Sequence, residues 1–224
     1  MAFTAADVKN LREMTGVGMM DCKKALAASD GDMDKAVEYL REKGLAASAK
    51  KAGRIAAEGM AYAAVIDGVG VVVEVNAETD FVGKNEKFVD FVKGVAATVA
   101  SENPVDLDKL MECKYNGTGL TVLQQQQEMV LVIGENIRVR RFARFSGGVS
   151  VPYIHAGGKI GVLVNLDVEG EVSDKVREIG KDMAMQIAAL NPRFWDKSFV
   201  TDDVLAEEKK ITLAQMDNDP KMAA

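Results

Sequence analysis

Glu74-Val75-Asn76-Ala77-Glu78-Thr79-Asp80-Phe81-Val82 is the stretch on which the reading of this chain turns. An apolar run dense in valine, Val69 to Val75, leads into it. Beyond it, Phe88, Val89, Phe91, Val92, Val95, Ala96 and Val99 recur at helical spacing. A strand therefore hands over to a helix within Thr79-Asp80-Phe81-Val82. Thr79 is placed to cap that helix, and Asp80 to sit in its first turn, where the helix dipole favours negative charge. Phe81 differs from its surroundings, a large ring on a junction lined by Glu, Asp, Asn and Lys. Two readings are open for it. The ring can fold back as a staple on its own helix. Alternatively it can stand out beside a carboxylate as a rigid wedge, able to enter a partner's crevice and disturb a cation site there. Periodicity does not choose between them.

Composition bounds the rest. A chain of 224 residues can hold one or two domains with real cores. Hydrophobic residues at 48% and charged residues at 28% are those of an ordinary water-soluble protein. The net charge is -6, so nucleic-acid binding would need a local basic patch. No apolar run approaches the roughly 20 residues of a membrane helix. The start, Met1-Ala2-Phe3-Thr4, does not read as a secretion signal, and a cytoplasmic protein is expected. Cys22 and Cys113 stand far apart in unlike contexts and are expected to be free thiols rather than a disulfide or a metal site.

The first 45 residues read as three short helices. Thr4 and Asp7 form a capping-box pattern, and Val8, Leu11 and Met14 mark one face. Thr15-Gly16-Val17-Gly18 breaks that helix and Met19 opens a second, through Leu26 to Ala28. After a turn at Ser29-Asp30-Gly31-Asp32, a third carries Met33, Ala36, Val37 and Leu40, with Gly44 as its expected stop. This is a bundle of the ubiquitin-associated type, too small for catalysis and suited to docking. Met19 and Met20 are adjacent and cannot share a helical face, so at least one is expected at an edge or in solvent. Residues 46–58, Ala-rich with Lys50, Lys51 and Arg54, read as a basic linker.

The remainder contains a weak internal duplication. Gly70-Val71-Val72-Val73-Glu74-Val75-Asn76 has a counterpart in Gly161-Val162-Leu163-Val164-Asn165-Leu166-Asp167. Each follows a glycine turn and leads to a helix, Phe88 to Ala100 and Val176 to Leu190, which ends at Asn-Pro (Asn103-Pro104, Asn191-Pro192). The predicted fold is α+β: the three-helix bundle followed by two related antiparallel hairpin-plus-helix subdomains, 59–148 and 149–224. The first is closed by a half-exposed strand, Ile137 to Phe145, after a helix opened by the glutamines Gln124 to Gln127. The second lacks such a strand. Either the chain is a fragment, or the second sheet is open, with an edge that would invite strand pairing or homodimerisation. A polar helix from about Thr201 to Gln215 follows, and Trp195 reads as a core or docking residue.

No constellation for catalysis is legible. His155 is the single histidine. Gly157-Gly158-Lys159 has the outline of a phosphate loop, but Ile160 stands where a Walker motif needs Ser or Thr, and the turn lies inside a hairpin. Neither a cofactor, a metal site nor a small-molecule substrate is expected.

Asn76-Ala77-Glu78-Thr79-Asp80-Phe81-Val82 resembles a signature of the elongation factor Ts family of bacterial type. Leu11 to Leu26, Leu-Arg-Glu-Met-Thr-Gly-Val-Gly-Met-Met-Asp-Cys-Lys-Lys-Ala-Leu, resembles that family's N-terminal signature. Gly134 to Arg141 resembles it too, and nearly all of the chain is covered. The resemblance implies a guanine-nucleotide exchange factor without an active site of its own, whose partner is the GTPase elongation factor Tu. Thr79, Asp80, Phe81 and Val82 would enter that partner near its Mg²⁺ and promote GDP release by dislodging the ion. Leu11, Met19 and Met20 would dock the N-terminal bundle, and His155, in a His-x-Gly-Gly turn, would face the partner. Full-length relatives are expected to diverge after about Asp219, continuing into a helical hairpin and a strand that closes the second sheet. Two other readings remain: a non-catalytic adaptor binding through its ubiquitin-associated-like module, and an RNA-binding translation accessory using Lys50, Lys51, Arg54 and the arginines from Arg138 to Arg144.

Overall fold

The computed structural model describes residues 3–218. Contacts divide it into two compact units, one through Ala188 and one from Ala189.

Three helices open the first unit: α1 (Ala5–Thr15), α2 (Met19–Ala28) and α3 (Met33–Lys51). The capping box of α1 is present on both sides, with Thr4 N donating to the Asp7 carboxylate at 2.7 Å and Asp7 N to the Thr4 hydroxyl at 3.3 Å. Gly16 ends the helix at φ 68°, a left-handed conformation that glycine adopts without strain. Leu11, Cys22, Ala25, Leu26, Ala36 and Leu40 fill the bundle core. Gly44 does not stop the third helix. It is buried inside α3, where a Cβ would stand 3.3 Å from the Gln127 carbonyl oxygen. The missing side chain lets α3 pass close to α6 (Val122–Ile133), whose Leu131 and Val132 pack on the bundle. The first part of the expected linker, 46–51, is thus the continuation of α3, and the module and its tether share one helix.

Strands β1 (Glu58–Ile66) and β2 (Val69–Ala77) form a hairpin in register Glu58↔Ala77 to Ile66↔Val69. Alternation divides the faces of β2. Val71, Val73, Val75 and Ala77 point into the main core against Phe88, Phe91, Val92, Val95 and Val99 of α4 (Glu86–Glu102). Each such side chain, fully buried, contributes roughly 1.5–3 kcal/mol. After α5 (Leu107–Glu112) and α6, strand β3 (Arg138–Phe145) pairs antiparallel with β2, giving the order β1-β2-β3. Two expectations at the strand-to-helix junction are corrected. Asn85, not Thr79, caps α4, accepting from Lys87 N at 3.0 Å and Phe88 N at 3.4 Å. A 3-10 turn at Val82–Lys84 intervenes, so Asp80 lies ahead of the helix rather than in its first turn.

The second copy is β4 (Val149–His155), β5 (Ile160–Leu166) and α7 (Asp174–Leu190). Among the described residues its sheet has two strands. One face carries Val162 and Val164, packed with Ala184 of α7. The other rests on the first hairpin, where Gly70 admits Ser150: a Cβ there would meet the Ser150 oxygen at 2.2 Å. Gly161 meets Ala61 and Val72 in the same way. The order of layers is therefore α4, first sheet, second sheet, α7. Each repeat ends its helix at an asparagine in left-handed conformation, Asn103 at φ 49° and Asn191 at φ 45°, followed by proline.

The second unit contains α8 (Asp202–Asp217), capped by the Thr201 hydroxyl and tied by an Arg193–Glu208 ion pair at 2.9 Å. Trp195, expected in a core or dock, is exposed and lies 5.3 Å from the Phe199 ring. The expected divergence near Asp219 lies outside the described residues. No helix among the described residues is long and apolar enough to cross a membrane.

Candidate functional site

The corner after β2 is made by the chain around it. Val82 is buried in the main core and anchors the turn from below. Phe81, one residue earlier, is 79% exposed, and Asp80 and Thr79 are exposed with it. The staple reading of Phe81 is thus not the conformation adopted. Backbone donors at the corner are gathered by a residue far along the chain. The Glu135 carboxylate accepts from Glu78 N and Thr79 N, both at 3.0 Å, and from the Thr79 hydroxyl at 2.6 Å. Glu78 replies across the gap, accepting from Asn136 N at 2.6 Å. The Arg54 guanidinium reaches Glu78 at 3.4 Å, and Asn136 Nδ2 donates to the Arg54 carbonyl at 2.8 Å. Charge-assisted bonds of this kind are about twice as strong as neutral ones. Phe81 is held out in water by a braced turn, and its carboxylate neighbour has no partner of comparable closeness in the same network.

The His155 turn lies at the same end of the sheet. Residues 156–158 form a 3-10 turn, with Gly158 packed where a Cβ would meet Met60 Cγ at 2.7 Å. Lys159 donates to Glu58, which pairs with Ala77 at the foot of the corner. That hydrogen bond raises the Lys159 pKa most, opposed by desolvation and aided by the charges of Glu58 and Asp80. The His155 ring is exposed and meets the Tyr153 hydroxyl at 3.0 Å through Nδ1.

Met19 and Met20 open α2 at 47% and 64% exposure. Leu11 is different. It is fully buried in the bundle core, so its side chain is not on the surface where a partner could meet it. The loop before Met19 is fastened to the body by Lys87 of α4, which donates to the Gly16 carbonyl at 3.2 Å. A cleft of about 350 Å³ opens beside this tie, lined by Met14, Gly16, Lys87, Tyr115 and Glu128 among others. Burial pushes the Glu128 carboxyl up, and the Arg41 guanidinium at 3.4 Å offsets this in part.

Sequence reasoning missed Glu135 and Met14. Glu135 lies in a quoted stretch, but its partner Thr79 is 56 residues away and nothing local marks the pairing. Met14, which the spacing places on one face with Val8 and Leu11, is exposed. Three of the four arginines of β3 have partners within the fold: Arg140 and Arg141 bind Glu74 at 3.3 and 2.6 Å, and Arg144 donates to the Ala100 carbonyl. Among the described residues no group of three or more His, Cys, Asp or Glu side chains is arranged to hold a metal ion.

Comparison with known proteins follows the same lines. A family profile described as Elongation factor TS matches residues 78–224, beginning at the corner itself. Elongation factor Ts of Trichlorobacter lovleyi is 51% identical over 223 residues, covering 96% of this chain and 72% of that protein. The namesake from Clostridium novyi is 49% identical, covering 97% and 72%, and that from Halothermothrix orenii 46%, covering 99% and 75%. With the family profile matched over residues 78–224 and about half of all aligned positions shared, the chain belongs to the elongation factor Ts family of translation elongation factors.

Proposed function

We propose that this chain binds elongation factor Tu and accelerates GDP release from it, using the Asp80-Phe81 corner as the perturbing element. The observation that carries the reading is the exposed Phe81 ring, set beside a carboxylate on a braced turn. A wedge must hold its shape in the free protein, because flexibility would dissipate the strain it is meant to impose. Phe81 would enter an apolar crevice of the GTPase domain while Asp80 brings negative charge to the neighbourhood of the Mg²⁺ that bridges protein and phosphates. Weakening that bridge lowers the barrier to GDP departure, and each tenfold gain needs about 1.4 kcal/mol.

The three-helix, ubiquitin-associated-like bundle supplies affinity in this scheme. Met19 and Met20 are flexible, polarizable side chains suited to an adaptable contact, and His155 adds a further contact from the turn near Glu58. The chain itself performs no bond chemistry. Stopped-flow release of labelled GDP from elongation factor Tu tests the reading: the native chain speeds release, and Phe81→Ala largely abolishes the effect. Undiminished acceleration by Phe81→Ala would sink the wedge.

A further inference from the structure

We infer that Glu135 is the positioning residue of the corner: its carboxylate, reached only through the fold, holds Thr79-Asp80-Phe81 in the shape that acts on the partner. The inference rests on the exchange-factor reading above and adds a residue to it that makes no contact with the partner in this scheme.

The geometry is specific. A single carboxylate collects three donors from two successive residues, Glu78 N, Thr79 N and the Thr79 hydroxyl, at 2.6 to 3.0 Å. These amides follow the end of β2 at Ala77 and precede the 3-10 turn at Val82–Lys84, so neither strand nor helix provides for them. Without an acceptor they would turn to water and the turn would gain freedom. Glu135 is itself fixed between the left-handed Gly134 that ends α6 and Asn136, which is bound on one side to Glu78 and on the other to the Arg54 carbonyl. Lys51, at the end of α3, donates to the Gly134 carbonyl. The brace thus joins the C-terminal end of the helix that builds the docking bundle to the turn that carries the ring. Arg54 and Lys51, basic residues of the expected linker, act here as struts.

Glu135→Ala and Glu135→Gln, with Phe81→Ala for reference, decide the matter. Two readouts are needed: amide hydrogen exchange at Glu78 and Thr79 in the free chain, and stimulated GDP release measured against factor concentration. In Glu135→Ala, exchange at Glu78 and Thr79 rises about tenfold or more while core amides such as those of Val73 and Phe91 keep their protection. The maximal release rate falls about tenfold, and the half-saturating concentration moves less, because the methionine contacts persist. Glu135→Gln restores most of both, since its amide oxygen still accepts the two backbone donors and its amide nitrogen can donate to the Thr79 hydroxyl. Native release rates in Glu135→Ala, or unchanged protection at Glu78 and Thr79, overturn the assignment. A Glu135→Gln variant as defective as Glu135→Ala overturns it too. If Phe81→Ala retains full activity, the wedge reading itself has failed, an outcome separate from any result at Glu135.

Discussion

At the scale of the residue, Phe81 and Met20 stand in water, against the habit of burying apolar side chains. A buried phenylalanine is worth roughly 1.5–3 kcal/mol to a fold, and this one contributes little while its ring stays in water. Phe81→Ala should accordingly leave the melting temperature within about 2 °C of the native value by calorimetry, while exchange activity is lost. Met20 is 64% exposed at the head of α2 and nothing in the bundle depends on it. Met20→Ala should weaken binding to elongation factor Tu by about 5- to 30-fold, the range of a moderate hot spot, as read by titration calorimetry. The sequence marked both residues, because an aromatic among acids and two adjacent methionines each break a local rule. It could not mark Glu135, whose glutamate looks like any other until the fold brings Thr79 to it. Nor could it separate Leu11 from the methionines, since a docking signature holds supporting and presented residues alike.

Among the elements, α4 is the best determined, because its apolar face is continuous and Tyr115 locks it from outside. The Tyr115 ring stacks on Phe91 at 5.9 Å and its hydroxyl donates to the Asp90 carbonyl at 3.2 Å. A Cβ at Gly94 would lie 1.9 Å from that hydroxyl. Gly94→Ala should therefore cost about 1–3 kcal/mol in urea unfolding, despite the better helix propensity of alanine. Burial, with a smaller push from the Asp90 charge, raises the Tyr115 phenol from 10.0 to about 12. Its folded pKa lies above the unfolded one, so this contribution is intact below about pH 10 and drains away as pH climbs towards about 12. Melting temperature followed over that alkaline window should fall less steeply in Tyr115→Phe than in the native chain. Periodicity and the Asn-Pro stops announced α4 and α7 and where they end, but not the left-handed backbone of the asparagines there. Other limits were harder to read. Gly44 looked like a stop because glycine ends helices, yet here it sits at a close helix crossing, where a Cβ would press on the Gln127 carbonyl. Thr79 looked like a cap, yet its hydroxyl serves Glu135.

For the whole molecule, the exchange-factor reading carries a thermodynamic obligation. If the chain weakens the hold of elongation factor Tu on GDP by some factor, GDP must weaken the hold of elongation factor Tu on the chain by that same factor. Titrations of the chain into nucleotide-free and GDP-bound partner should differ by the ratio obtained from the two GDP affinities, and an unequal ratio would mean a missing state. The α+β class and the duplication were legible because each copy repeats the hairpin-glycine-helix order. How the copies stack was not, since it depends on pairs such as Gly70 with Ser150 that sit far apart in sequence. The fastening of Gly16 to Lys87, together with the uninterrupted run of α3 along α6, has a final implication. On the exchange-factor reading, methionine pair and aromatic corner keep a set spacing before any encounter, like the two teeth of one bidentate chelator. The orientational freedom needed to align them was surrendered during folding, so seating one raises the effective concentration of the other without a further search.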